Sequence, residues 1–242
     1  YTPLWRELAA ARQCLMFGES ADGAQVHARD ALWLGDAWQF TLVTPEGEAP
    51  VRLHIAGRHN VRNALAAAAC AQAAGVPLAD IARGLSVFEP VQGRSRALGV
   101  SVQGRTVTVI DDSYNANPDS VAAAIEVLRE LPAPQLLVLG DMGEVGDQGP
   151  QFHAEAGALA RSLGIARLFT LGAQSTSAAT AFGAGARHFE DMASLQQAAC
   201  AALPEVGSIL VKGSRFMKME QVVQAVEAAG KDDGCKKEAA CC

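Results

Sequence analysis

At 242 residues, half of them hydrophobic with few aromatics and abundant alanine and glycine, the chain is long enough for one large or two modest domains with real cores. A net charge of −6 without any block of Lys or Arg argues against nucleic-acid or anionic-membrane binding by bulk charge. No apolar run reaches membrane-spanning length and the N-terminal YTPLWRELAAAR lacks the apolar centre of a signal peptide, so a cytoplasmic protein without membrane insertion is expected.

In chain order, a brief helical pattern over residues 4–12 leads into short segments at 14–17, 25–32, 38–44 and 51–55. Separated by SADG, LGD and TPEGEAP, these read as antiparallel strands joined by hairpins. The Ala-rich GRHNVRNALAAAACAQAA predicts a helix over 57–74, and a second helix follows over 77–88. Asn60 and Asn63 stand three apart on one face of the first helix, beside His59. An amide pair donates and accepts together, which suits a purine edge, while N-capping by Asn60 with a solvent-facing Asn63 accounts equally for the spacing.

The Pro- and Gly-punctuated EPVQGRSR at 89–96 reads as a linker. Its Arg94 and Arg96 are either solvated charges or hinge arginines suited to a phosphate. The domains expected are therefore 1–92 and 93–230, with a disordered polar tail over 231–242. Beyond the linker, strands at 107–111, 136–140, 167–171 and 208–212 alternate with helices at 118–131, 151–163, 174–182, 192–203 and 217–229. That alternation predicts a doubly wound, mostly parallel α/β domain.

The stretch VTVIDDSYNANPDSVAAAI reads as strand, polar turn and helix, with Asn117 as N-cap and Pro118 in the first helical turn. Loops at the carboxyl ends of strands form the ligand crevice of open α/β sheets. Asp112, Ser113, Tyr114, Asn115 and Asn117 are expected to line it, although any one of them is explained as a turn former. The loop LGDMGEVG carries Asp141 and Glu144, which repel a pyrophosphate, and it is not a dinucleotide fingerprint. In VKGSRFMKME, Lys212, Ser214 and Arg215 between strand and helix suit a carboxylate or phosphate, or are simply solvated at a loop tip. His153 and Glu155 form H-x-E without the P-C-x-x-C of a zinc deaminase, and H-E-x-x-H, G-x-S-x-G and Walker A sequences are absent. The cysteines at 14, 70 and 200 are expected to be buried reduced thiols. Those at 235, 241 and 242 fall in the tail, where no metal-site pattern is evident.

Taken together, GRHNVRNALAAAA, Gly93-Arg94, DDSYNANPDS, LGDMGEVG and VKGSRFMKME resemble the Mur ligase family, MurF type, over residues 5–229. The resemblance implies the end of a central ATPase-type α/β domain followed by a Rossmann-like C-terminal ligase domain. It also implies ATP-dependent joining of D-Ala-D-Ala to UDP-N-acetylmuramoyl-tripeptide through an acyl phosphate, in peptidoglycan precursor synthesis. His59, Asn60, Asn63, Arg94 and Asp112 would then bind ATP. Arg94 and Lys212 would be catalytic, and Tyr114, Asn115, Asn117, Ser214 and Arg215 would receive the amino-acid substrate.

The family's P-loop, magnesium ligands and modified lysine have no counterpart in the sequence, so Mg2+ ligands are expected upstream and the isolated chain is expected to be inactive. The full-length enzyme is expected to be a monomer, while residues 1–88, short of sheet partners, imply self-association of this chain. The alternatives are a non-catalytic nucleotide- or dipeptide-binding module and a related amino-acid-adding ligase.

Overall fold

The structure, a computed structural model, describes residues 2–10, 12 and 14–239. The chain divides into two compact units, Tyr1–His54 with Arg58–Glu89 and Ile55–Gly57 with Pro90–Cys242.

The first unit opens with α1 (Thr2–Ala9), whose Leu4, Trp5 and Leu8 are exposed. A four-stranded sheet follows, in the order β1 (Phe17–Gly18), β2 (Val26–Trp33), β3 (Trp38–Thr44), β4 (Gly47–Leu53). The β2–β3–β4 meander is antiparallel as the alternation predicts: Trp38, Phe40, Leu42 and Thr44 turn inward at every second position of β3. Pro50, which lacks an N–H, sits on the edge strand β4, where the sheet tolerates that loss. The first expected hairpin is corrected, because β1 pairs with β2 in parallel. The chain turns again at Gly23 (φ +72°) and Met16 O accepts from both Gln25 N and Val26 N, so the loop runs back alongside its own start. Two helices complete the unit. In α2 (Arg58–Ala73), Val61, Ala64, Leu65, Ala68 and Ala69 form the buried stripe, and α3 (Leu78–Ser86) buries Ile81 and Ala82.

The second unit is built on a six-stranded sheet: β5 (Arg96–Val102), β6 (Arg105–Asp112), β10 (Ser208–Lys212), β7 (Gln135–Gly140), β8 (Arg167–Leu171), β9 (Ala186–Phe189), in that spatial order. All neighbouring pairs are parallel except β5–β6. That hairpin turns on Gln103 and Gly104, both at positive φ, the geometry of the primed turns that match strand twist. Strands β5 and β9 escape the sequence reading, the first because it follows a linker and the second because ARHF is short and polar. Central strands β7 and β10 are buried along their whole length, which explains the apolar centres Leu136–Leu139 and Ile209–Val211.

Helices α4 (Pro118–Arg129), α5 (Gly149–Ser162) and α6 (Thr176–Phe182) pack in sequence against one another. Separately, α7 (Met192–Ala202) packs against α8 (Glu220–Ala239). Asn117 caps α4 as expected: its Oδ1 accepts from Ser120 N at 2.8 Å, and Ser120 Oγ accepts from Asn117 N at 3.0 Å. Replacing Asn117 by alanine is expected to lower unfolding free energy by about 1 kcal/mol in urea titration, since one orphan N–H of the first turn loses its acceptor.

The expectation of buried thiols is corrected for Cys14 and Cys70. Cys14 and Cys70 are exposed; Cys70 falls on the face of α2 opposite Val61, Leu65 and Ala68. Cys200 is half-buried, and burial pushes its thiol up, which makes it a poor nucleophile at neutral pH. Helix α8 is continuous from Glu220 to Ala239. Lys, Glu and Ala favour helix, and a helix already begun at Glu220 needs no new nucleus to extend. Cys241 and Cys242 lie outside the described residues. No helix among the described residues is long and apolar enough to cross a membrane.

Candidate functional site

The carboxyl ends of β6 and β10 stand side by side in the second sheet, and the chain leaves them for different helix layers. A crevice opens at such a switch point in a doubly wound sheet. Lys212 is the register partner of Asp112, so two residues far apart in sequence face each other across adjacent strands. Lys212 Nζ lies 2.6 Å from Asp112 Oδ2 and 3.0 Å from Asn115 O, and the lysine is 3 % exposed. This differs from the solvated loop-tip lysine that the sequence allows, because Lys212 is the last residue of a buried strand.

Asp112 Oδ1 in turn accepts from Ser95 N at 3.0 Å and Ser95 Oγ at 3.2 Å. Neighbouring Asp111 is buried and does a parallel job. Its Oδ2 accepts from Gly93 N and its Oδ1 from Ser113 N and Ser113 Oγ. The two carboxylates thus tie residues 93–95 to the end of β6.

At Gly93 (φ +80°), an added Cβ would stand 2.9 Å from Tyr114 N, and Tyr114 N donates to Gly93 O at 3.0 Å. Only a residue without a side chain lets these two backbones meet. The contact sets the Tyr114 ring under Arg94, whose Cζ is 4.4 Å from the ring centroid. Arg215 lies against the same ring at 5.3 Å. Tyr114 is 41 % exposed and Phe216 65 %, so the aromatic and guanidinium groups form an open surface. Each such cation–π contact is worth about 0.5–1 kcal/mol at exposed sites, little enough for a carboxylate or phosphate to draw the arginines away.

The LGDMGEVG loop packs beside these two loops. Asp141 Oδ1 accepts from Ser175 N at 2.8 Å, with Gln174 N 3.2 Å from both carboxylate oxygens, so this acid is engaged by backbone amides. Asp141 O accepts from Ser214 N at 2.9 Å and Ser214 Oγ at 2.7 Å, and Ser214 is buried. Of the predicted residues, Arg94, Asp112, Tyr114, Asn115, Lys212 and Arg215 are brought together in the second unit. Asn117 and Ser214 spend their side-chain oxygens on the cap and on Asp141 O. His59, Asn60 and Asn63 stand at the start of α2 in the first unit, where Asn63 Nδ2 donates to Asn60 Oδ1 at 3.1 Å.

Sequence reasoning missed Ser95 and the anchoring tasks of Asp111 and Asp141. The adjacent carboxylates at a strand end were the available signal, since alternate residues there point to opposite faces.

Residues 93–215 match the family described as Mur ligase, glutamate ligase domain. The chain is 37% identical over 228 residues to the UDP-N-acetylmuramoyl-tripeptide--D-alanyl-D-alanine ligase of Escherichia coli K12, covering 93% of this chain and 50% of that protein. Among solved structures it is similar to MurF from Acinetobacter baumannii (TM-score 0.77, 33% identity, 94% of this chain and 50% of that one). It also shares the fold of the Thermotoga maritima MurF ligase solved with ADP (TM-score 0.74, 21% identity, 96% and 52%). The chain spans about half the length of these relatives.

Proposed function

Since the chain belongs to the Mur ligase family, we propose that its second unit receives D-Ala-D-Ala for ATP-dependent joining to UDP-N-acetylmuramoyl-tripeptide, in the cytoplasmic synthesis of peptidoglycan precursor. The observation that carries this reading is the Arg94–Tyr114–Arg215 surface beside the buried Lys212–Asp112 pair at the switch point. A dipeptide offers a carboxylate to a guanidinium fork and an apolar methyl to Tyr114 and Phe216. Lys212 supplies a fixed positive charge near the developing tetrahedral centre and holds the Asn115 carbonyl in place.

ATP would supply the phosphoryl group that activates the tripeptide carboxylate. Within the first unit, the Asn60–Asn63 amide pair suits an adenine edge. In the second unit, both Asp112 oxygens are already engaged, by Ser95 and by Lys212, so a ribose hydroxyl would have to displace one of these partners. The implied Mg2+ is a different matter. Among the described residues no group of three or more His, Cys, Asp or Glu is placed to hold a metal ion.

Calorimetric titration tests the reading. The chain is expected to bind D-Ala-D-Ala in preference to L-Ala-L-Ala, with Arg215→Ala weakening binding by about tenfold through loss of a charge-assisted contact. No binding would sink the proposal, and preference for a diamino acid would transfer the chain to a related ligase. With ATP, Mg2+, UDP-tripeptide and D-Ala-D-Ala, no dipeptide-dependent ADP is expected. Its formation would overturn the expectation that the chain is inactive alone.

A further inference from the structure

The buried His153 belongs to none of the roles assigned above, yet it lies directly behind the site. Three successive residues at the end of β7 each fasten a different partner through the backbone. Asp141 O accepts from Ser214 N and Oγ, Met142 N donates to His153 Nε2 at 2.9 Å, and Gly143 N donates to Ala116 O at 3.2 Å. The loop is pressed against the β10–α8 connection as well, since a Cβ added at Gly143 would stand 3.3 Å from Ser214 Cβ and 3.8 Å from Phe216 Cε1.

His153 is fully buried, and its Nδ1 lies 2.6 Å from Gly149 O. A carbonyl only accepts, so Nδ1 carries the proton and Nε2 is left as the acceptor that Met142 N requires. The Asp141 carboxylate, 3.9 Å from Nε2, is already engaged by Gln174 N and Ser175 N. The imidazole therefore ties the loop to the first turn of α5, and a buried N–H that loses its acceptor is costly.

We propose that His153 is a positioning residue of the site: by accepting from Met142 N–H it fixes residues 141–143. Through them it sets the spacing of loop 113–117, with Tyr114 and Asn115, against loop 213–216, with Arg215. The proposal rests on reading that surface as the dipeptide receiver, but the clamp itself is measurable without ligand.

The test compares His153→Gln, which keeps an acceptor near the Nε2 position, with His153→Leu, which fills the space without one, in the full chain. Amide hydrogen exchange at Met142, Gly143 and Ser214 is expected to speed up by about tenfold in the leucine variant, and to recover in the glutamine variant. Amides of β8 and α7 should be unchanged, and D-Ala-D-Ala affinity should follow the same order. Unchanged exchange in His153→Leu, or equal loss in both variants, would overturn the proposal, the latter because shape and not the acceptor would be at work. If the leucine variant does not fold, imidazole 15N shifts of the unaltered chain decide: a proton on Nδ1 is expected, and one on Nε2 would refute the clamp. Failure of the unaltered chain to bind D-Ala-D-Ala would sink the dipeptide reading, while the exchange result would still stand for or against the clamp.

Discussion

Replacing Lys212 by methionine is expected to lower the unfolding free energy by about 3 kcal/mol, near the lower end of what breaking a buried ion pair costs. The lysine is 3 % exposed and its partner's side chain 17 %, so the Asp112 carboxylate left behind is largely cut off from water. Its bonds from Ser95 and that residual exposure place the loss toward the low end of the range. The Asn115 carbonyl loses its donor at the same time. Adding Asp112→Asn to Lys212→Met should recover most of the stability, because a neutral pair no longer buries an uncompensated charge. Urea titration of the two single variants and the double variant measures the coupling. A double variant no more stable than Lys212→Met would mean that the lysine stabilises by packing alone.

The second large effect lies away from the site. Gly157→Ala in the middle of α5 is expected to destabilise by about 2–3 kcal/mol, although the same change on an open helix surface stabilises by about 1 kcal/mol. Helix propensity loses here to a collision, since the added Cβ would stand 2.1 Å from Ala178 O and 2.8 Å from Ala178 C. Both are backbone atoms of α6 and cannot swing aside as a flexible side chain would. The helices must separate, and α6 follows directly on Gln174 and Ser175, whose amides hold Asp141. Thermal unfolding should show the loss in melting temperature. A rise would mean that α5 and α6 part freely.

Much of the architecture was legible because its signals are local. The Asn117-Pro118 helix start, the inward alternation of β3 and the strands at 136–140 and 208–212 are each written within a few residues, and each forms as read. Local signals also explain the errors. The pairing of β1 with β2 depends on how a loop folds back on itself, which its composition does not encode. Cys70 lies in an Ala-rich helix where the small residues blur the boundary between buried and open faces. At the site, DDSYNANP and VKGSRFMKME announced a polar crevice, but Asn117 of the first and Ser214 of the second serve the cap and a neighbouring loop instead of facing outward.

By itself the sequence determined an α/β chain with a polar loop after its first parallel strand, because turn chemistry and periodicity are properties of neighbouring residues, while its motifs carried a resemblance to the Mur ligase family. Only the tertiary structure decided that β10 enters the sheet between β6 and β7. That insertion sets Lys212 opposite Asp112, buries a lysine that reads as a loop-tip charge, and brings Arg94 and Arg215 to one tyrosine. Strand order is settled by which faces can be buried together across the whole domain, and no stretch of neighbouring residues carries that information.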